Sequence, residues 1–264
     1  MELWQWQRGQ EPAFLTCTLL AAWPHGFFTR DFWPQTPDLL TLVLDPSATV
    51  QRVKQVHGNR VLTPTGLAHA AVAQPAVDIT PPWPEADALI SDAPAQALWV
   101  CSADCSPVLI GDRATGRTAA IHAGWRGTAL KIVPLTVSAM QRQGSQLRDL
   151  VVAIGPAITG EVYQVSMPVA AEVGRTIAPG ASGGDEALVE ALQALENPPL
   201  RPDAEPGKVR LDVRQVNVRQ LEDLGMQPEQ ITVAPHCTFQ EPDRFFSYRR
   251  TGEKQVQWSG IVSH

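Results

Sequence analysis

The chain has 264 residues, of which 44% are hydrophobic and 18% are charged, and its formal net charge is −6. This composition is typical of a globular protein with enough chain for a sizeable core. The negative charge argues against nucleic-acid binding, which usually requires a basic surplus. No apolar stretch approaches the ~20 residues of a membrane helix, so we expect no membrane partner.

The cysteines and the first residues favour a cytoplasmic location. Cys17, Cys101, Cys105 and Cys237 form no CxxC pair. Residues 1–6 lack the basic region and long apolar run of a signal peptide. In a reducing compartment, cysteines are more often thiols or metal ligands than disulfides.

Apolar runs, separated by Gly and Pro, predict more strands than helices. Strands are predicted at residues 3–7, 14–20, 88–91, 97–101, 108–111, 118–122, 150–154, 230–234 and 254–262. Helices are predicted after Gly127 and at residues 167–177, 186–195 and 211–224, whereas residues 39–44 fit either type. Loops are predicted at residues 63–84 and at the Pro- and Gly-rich surface excursion 179–207. Because several strands follow one another directly, we predict one α/β domain over residues 1–264, with a mixed sheet and helices on its faces.

The most informative stretch is an apolar run that ends at His122 and is followed by a turn and a predicted helix. Gly124 and Gly127 flank Arg126 in this turn. A Gly-rich turn between strand and helix directs backbone N–H groups, here as far as Thr128, towards an anion. The Arg126 guanidinium adds a donor fork suited to phosphate or carboxylate. The alternative is an ordinary helix cap with a solvated arginine.

Two further side chains are expected to share a pocket with His122. Cys105 follows Asp104 at a turn between two predicted strands, and His122 lies one strand further along. If these strands are neighbours, Cys105 and His122 form either a nucleophile–base pair or part of a metal site. His57, in another predicted turn, is a candidate third ligand, and three ligands with an open position are typical of catalytic zinc. A buried thiol and unliganded histidines are the alternative.

The C-terminal stretch 245–250 is a further candidate for anion binding. Arg249 and Arg250 follow aromatic residues that include Tyr248. Two adjacent guanidinium groups beside aromatic rings suit an anion and a flat ring. An edge strand with solvated ends is the alternative.

Nine short motifs together resemble a known family. They lie at residues 55–58, 86–88, 103–108, 122–127, 155–158, 163–165, 211–212, 237–238 and 246–250. In this order they resemble the YfiH/YlmD family, described as laccase-like polyphenol oxidases and as purine nucleoside phosphorylases with adenosine deaminase activity. The pattern differs after Arg30, where residues 31–36 replace a longer Gly- and Ser-rich loop.

The resemblance implies a fold, a cofactor and a reaction. The fold is a single-domain αβ sandwich of mixed sheets, and the cofactor is zinc held by His57, Cys105 and His122. The implied reaction is phosphorolysis of adenosine, inosine and guanosine, with methylthioadenosine as a further candidate, together with adenosine deamination. The expected partners are therefore purine nucleosides and phosphate, bound by a monomer or small homo-oligomer.

Phosphorolysis needs groups that hold phosphate against a cationic sugar carbon while the purine leaves. We expect Arg126 to hold the phosphate. The other residues expected to bind substrate or phosphate are Arg30, Gly124, Gly127, Thr128, Tyr248, Arg249 and Arg250. Asp104 is the nearest carboxylate candidate for moving a proton in deamination.

Three other functions compete with this hypothesis. A Cys–His amidase acting on peptidoglycan precursors would use Cys105 as nucleophile and His122 as base. A non-catalytic regulatory protein would retain only the fold. A copper laccase is disfavoured because it needs many histidines, several in H-x-H pairs, whereas this chain has six histidines and no such pair.

Overall fold

A computed structural model describes residues 3–7, 12–72, 83–180 and 183–264. Strands and helices alternate irregularly along the chain. The strands are β1 Trp4–Gln7, β2 Phe14–Cys17, β3 His25–Phe27, β4 Thr49–Gln51, β5 Val61–Leu62, β6 Ala88–Ile90, β7 Gln96–Ser102, β8 Ser106–Asp112, β9 Thr118–Ala123, β10 Leu150–Ile154, β11 Gln164–Ser166, β12 Leu200–Pro202, β13 Lys208–Leu211, β14 Ile231–Val233 and β15 Gln257–Val262.

The helices of the described residues are four to eleven residues long. They are α1 Pro37–Leu44, α2 Pro64–Val72, α3 Trp125–Ala129, α4 Ile132–Arg142, α5 Met167–Gly174, α6 Gly184–Gln193, α7 Val213–Asp223 and α8 Tyr248–Thr251. Among the described residues, no helix has the length and apolar character needed to cross a bilayer.

Two six-stranded mixed sheets pack face to face. The first has the strand order β1-β2-β3-β15-β7-β4, and the second has the order β14-β10-β8-β9-β6-β5. Leu98 and Val100 of β7 meet Leu109 of β8 and Ala120 of β9 in the core between the sheets. Alternate side chains of a strand point to opposite faces, so the residues between these face outwards. This arrangement confirms the prediction of a mixed-sheet α/β fold.

Helices cover the outer faces of both sheets. On the first sheet, Trp99 of β7 packs with Leu40 of α1. On the second sheet, Ile110 and Ile121 pack with α4 and with Leu221 of α7. The central strands are therefore buried on both faces, which explains why they read as continuous apolar runs rather than as an alternating pattern.

A third, three-stranded sheet with the order β11-β13-β12 was not predicted. Its strands are only three or four residues long, and charged residues alternate with buried Val209 and Leu211. This sheet packs with α5 and α6 around its own apolar cluster. Residues 179–207, predicted as a surface excursion, contain α6 and β12, whose Leu188 and Leu200 are buried in that cluster.

The loop predicted at residues 63–84 is wrong over its first part, because α2 begins at Pro64. The Thr63 hydroxyl accepts a hydrogen bond from the Gly66 N–H at 3.1 Å, as an N-cap residue does. Alanine favours helix, and Pro is tolerated in the first turn. The rest of the predicted loop, at residues 73–82, lies outside the described residues.

The helix predicted after Gly127 is also wrong, because the structure has two helices here and the first begins before Gly127. Helix α3 already begins at Trp125, and Lys131, with φ of 59°, separates it from α4. The predicted helix 211–224 begins at Val213 instead, because Leu211 belongs to β13. The Asp212 side chain then caps α7 by accepting the backbone N–H groups of the first turn.

The pairing of Gly260 with Trp99 gives a test of packing between the central strands of the first sheet. These residues are opposite each other in β15 and β7, and a Cβ at position 260 would lie 2.6 Å from the indole ring. Trp99 is fully buried and donates a hydrogen bond to the Thr41 hydroxyl at 2.9 Å. We expect Gly260→Ala to lower the free energy of unfolding by about 1–3 kcal/mol, as overpacking does, in urea denaturation.

Gly180→Ala is the matched control, because no atom of the described residues, chain neighbours aside, lies within 4 Å of a Cβ at that position. Its unfolding free energy should change by less than about 0.5 kcal/mol. Equal losses in the two variants would contradict the packing explanation.

Candidate metal centre and cavity

Three side chains from distant parts of the chain converge beside the second sheet. His57 lies between β4 and β5, Cys105 immediately precedes β8, and His122 lies in β9. Their ligand atoms all lie within 4.8 Å of one another. Strands β8 and β9 are antiparallel neighbours, so the start of one lies beside the end of the other. The structure thus brings together the three residues predicted as metal ligands.

A buried carboxylate, Asp87, orients both histidines. Its Oδ1 accepts a hydrogen bond from the His122 ring at Nδ1 and another from the His57 backbone N–H, both at 2.9 Å. Its Oδ2 accepts the backbone N–H groups of Val56 at 3.2 Å and Gly58 at 2.7 Å. With Nδ1 of His122 engaged, Nε2 is the ring nitrogen available to a metal.

The electrostatics of the site favour an ionised thiol. Burial opposes ionisation of Cys105, but the charges and hydrogen bonds of His122 and His57 outweigh burial and lower the thiol pKa. Burial likewise disfavours a charged His122, but the Cys105 thiolate and Asp87 raise its pKa. A thiolate and two imidazoles form the nitrogen–sulfur donor set that suits zinc and related soft-to-borderline cations.

Two residues at the site hold left-handed backbone conformations. His57 has φ of 59° and Asp104 has φ of 92°. Such conformations are uncommon outside glycine and persist where surrounding contacts fix them. Asp87 fixes the His57 backbone, and the Asp104 carboxylate accepts the Thr238 hydroxyl and the Arg249 backbone N–H, both at 2.7 Å. Both carboxylate oxygens of Asp104 therefore position neighbouring segments.

The three ligands open into a cavity of about 540 Å³. Two cation–aromatic pairs line it: the Arg126 guanidinium lies 4.4 Å from the Trp125 ring centroid, and that of Arg249 lies 4.6 Å from Tyr163. Lys254 lines the same cavity. The carboxylates of Asp104 and Glu253 line it as well. The cavity therefore joins the His57–Cys105–His122 cluster to two guanidinium groups that lie on aromatic rings, and such a pairing suits a ligand that is anionic in one part and aromatic in another.

The predicted phosphate-binding residues divide into those inside and those outside this cavity. Arg126, Tyr248 and Arg249 line it. Arg250 instead donates to three backbone carbonyls, those of Thr238, Phe239 and Phe245. Arg250 therefore stabilises a loop instead of presenting its guanidinium to the cavity.

Arg30 and Thr128 also lie apart from the cavity lining. Arg30 donates to the Pro242 carbonyl and stacks over Phe246. The Thr128 hydroxyl donates to Asn217 of α7 at 3.2 Å, and its backbone N–H bonds within the first turn of α3. These contacts occupy groups that the sequence analysis had assigned to phosphate.

The glycines of the predicted anion turn serve close packing. A Cβ at Gly124 would lie 2.8 Å from the Cys105 Sγ and 3.2 Å from the His57 ring, and a Cβ at Gly127 would lie 3.1 Å from the Gly58 carbonyl oxygen. Gly124 has φ of −72°, which any residue can adopt. A side chain at position 124 is excluded by the lack of space beside Cys105 and His57, not by the backbone conformation.

Two residues of the site received no role in the sequence analysis. Asp87 occurs in one of the family motifs and Tyr163 in another. Their distances along the sequence from the histidines and from Arg249 do not indicate that these residues are in contact. An acidic residue immediately before an apolar strand is the only signal for Asp87. Its position beside the histidines depends on the pairing of β6 with β9, which is non-local.

A family model described as a multi-copper polyphenol oxidoreductase laccase matches residues 39–263 of the chain. The chain belongs to this laccase family. A protein of Synechocystis named purine nucleoside phosphorylase is 54% identical to this chain, and the match covers the whole of this chain and 98% of that protein. A family relative named adenosine deaminase, from an unknown prokaryote, is 32% identical over 63% of the chain and 57% of that protein.

Solved structures confirm the predicted resemblance in fold. YlmD from Geobacillus stearothermophilus superposes with a TM-score of 0.80 at 27% identity, with full coverage of both chains. The YfiH protein of Bacillus licheniformis has the same fold, with a TM-score of 0.76 at 24% identity over 98% of this chain and 99% of that one.

Removing the charge of Asp87 should weaken metal binding. We expect Asp87→Asn to bind Zn²⁺ about 10- to 100-fold more weakly in a chelator competition titration, because the outer carboxylate fixes the His122 tautomer and the His57 backbone. Asp112→Asn is the control, since Asp112 is equally buried but accepts the backbone N–H groups of Ala114 and Thr115, at the end of β8 away from Cys105. Equal zinc affinity in Asp87→Asn and the wild-type protein would contradict this role.

Filling the space beside the ligands should have a similar effect by a steric route. Gly124→Ala is expected to reduce Zn²⁺ affinity at least about 10-fold, because its Cβ would displace the Cys105 sulfur or the His57 ring. Circular dichroism should show an unchanged fold. A variant with full zinc affinity would show that the ligands can relax around the added methyl group.

Proposed function

We propose that the protein is a zinc-dependent purine nucleoside phosphorylase. The observation that carries this proposal is the cavity in which the His57–Cys105–His122 cluster faces the Arg126 and Arg249 guanidinium groups. A phosphorylase needs an anion site and a site for a flat base in one cavity. The Synechocystis relative named for this activity supports the proposal, because its similarity extends over the whole chain.

The donor set fits zinc better than the several copper ions that the family name suggests. One thiolate and two imidazoles can hold a single zinc ion and leave a coordination position open. When bound there, zinc supplies Lewis-acid stabilisation of negative charge. The described residues contain one cluster of three or more metal-ligating side chains, whereas a multicopper oxidase requires several.

Arg126 is the group best placed to bind phosphate in this proposal. Its exposed guanidinium rests on Trp125 inside the cavity, and no described side chain or carbonyl accepts a hydrogen bond from it. Arg249 is less free, since it donates to the Gln164 carbonyl at 2.7 Å. Arg249 therefore contributes charge to the anion site, while Asp104 holds its backbone in place.

Adenosine, inosine and guanosine are the proposed substrates, with methylthioadenosine as a further candidate. The relative named adenosine deaminase supports a second activity at the same site, hydrolytic removal of the purine 6-amino group. Each carboxylate oxygen of Asp104 already accepts one hydrogen bond and keeps a second lone pair, which is available for its proposed part in proton transfer.

Product analysis tests the proposed reaction directly. Zinc-loaded protein incubated with inosine should release hypoxanthine and ribose 1-phosphate only when inorganic phosphate is present, and chromatography separates the products. With adenosine, formation of inosine independently of phosphate reports the deaminase activity. Base release at the same rate without phosphate would contradict a phosphorylase and indicate a hydrolase.

Replacing Arg126 should weaken the use of phosphate selectively. We expect Arg126→Ala to raise the apparent phosphate KM at least about 10-fold, with zinc content unchanged, because a charge-assisted hydrogen bond to phosphate is lost. Arg60→Ala is the control, since this arginine bonds the Glu85 carbonyl outside the cavity. An unchanged phosphate KM in Arg126→Ala would remove this residue from the anion site.

The Cys105–His122 pair also supports a second candidate, a Cys–His amidase. A thiol whose pKa is lowered by a neighbouring histidine is a feature of cysteine nucleophiles. Metal analysis and alkylation distinguish the two functions. Stoichiometric zinc that is lost in Cys105→Ser supports the metal enzyme, whereas metal-free active protein that iodoacetamide inactivates at Cys105 supports the amidase.

A further inference from the structure

Tyr163 is a cavity residue to which the proposed reaction assigns no role. It lines the main cavity and also a smaller adjoining one of about 30 Å³. Three other residues, Asp104, Cys105 and Trp125, line both cavities as well. Tyr163 therefore lies where the metal-ligand cluster, the anion-binding wall and the aromatic wall meet.

The Tyr163 ring is fixed from several directions. Its half-buried ring packs on the apolar cluster of the third sheet, and the Arg249 guanidinium covers it at 4.6 Å. Its backbone N–H donates to the Thr159 carbonyl, and its carbonyl accepts the Leu211 N–H, both at 3.0 Å. A ring held in this way presents its hydroxyl in a defined direction without further loss of side-chain entropy.

The Tyr163 hydroxyl is free to bond a ligand. No group among the described residues forms a hydrogen bond with it, although most other polar groups of the site are paired. A tyrosine hydroxyl is protonated at neutral pH, and burial keeps the pKa of Tyr163 above its ordinary value, so this hydroxyl is a donor. The other tyrosine of the cavity, Tyr248, is 56% exposed and lacks this support.

Phosphorolysis creates a need for such a donor. An oxygen of hydrogen phosphate forms a bond to C1′ while the bond from C1′ to N9 breaks, and the bonding electron pair passes to the purine. The proton of the hydrogen phosphate ends on the released base, so the products are ribose 1-phosphate and neutral purine. A hydrogen bond from such a donor to the base becomes stronger as negative charge develops on the purine, and this lowers the activation barrier of phosphorolysis.

We propose that the Tyr163 hydroxyl donates a hydrogen bond to the departing purine base and so acts as a catalytic residue. This inference rests on the proposed phosphorylase function. In this proposal the third sheet has a functional role, because β11, β13 and their apolar cluster hold Tyr163 beside the cavity.

A pair of nucleosides separates this role from a structural one. The base of inosine departs with a negative charge. In 7-methylinosine the purine already carries a positive charge, so its base departs neutral and needs no donor. Tyr163→Phe keeps the ring and its stacking with Arg249. We expect this variant to lose about 100-fold in kcat/KM for inosine and less than about 3-fold for 7-methylinosine, with unchanged zinc content and melting temperature.

Each other outcome overturns a distinct claim. Equal losses on both nucleosides would show that Tyr163 is only structural, and full activity on inosine would show that it does not act on the base. Either result, with an active wild-type enzyme, overturns the inference and leaves the phosphorylase function intact. Failure of the wild-type protein to release base from either nucleoside in phosphate would overturn the proposed function itself.

Discussion

The site depends on one buried carboxylate. Asp87 accepts four hydrogen bonds, three from successive backbone N–H groups around His57 and one from the His122 ring. A buried carboxylate is costly unless its oxygens are satisfied, so the fold and the site stabilise each other. The same interaction holds His57 in a left-handed conformation and turns Nε2 of His122 towards the Cys105 thiol. Without Asp87, the hydrogen bonds that orient both histidines towards the Cys105 thiol would be lost.

The architecture explains why this carboxylate lies beside a cavity. Strands β6, β8 and β9 of the second sheet are neighbours, although they are separated in the sequence. They place Asp87, Cys105 and His122 at the same end of the sheet. The third sheet and its helices then form a wall against that end, carrying Tyr163 and supporting Trp125. The sandwich of two sheets thus carries the three candidate metal ligands, and a separate apolar cluster supports the aromatic surfaces. This division lets charged groups converge without lying in the main core.

Much of this could be predicted from local sequence, and the remainder could not for a physical reason. Buried runs such as those of β8, β9 and β10 are visible because both of their faces are covered. Cys105 and His122 could be grouped from the sequence because they flank adjacent strands, whereas His57 joined them only as a candidate in a turn and through the resemblance to the family. Residue type indicates what the side chains of Thr128 and Arg250 can bind, but the partners that they bond here, in α7 and in the loop before α8, are set by tertiary structure. The strands β11, β12 and β13 could not be predicted, because a strand of three or four residues is too short to show a periodic pattern of apolar residues.

The central claim is that two imidazoles and one thiolate hold a single divalent ion. X-ray absorption at the zinc edge of the purified protein tests it most directly. The account predicts one zinc per chain, with one sulfur and two imidazole nitrogens among its ligands, and loss of the sulfur scattering in Cys105→Ser. Zinc bound only by nitrogen and oxygen, or a spectrum that Cys105→Ser leaves unchanged, would contradict it.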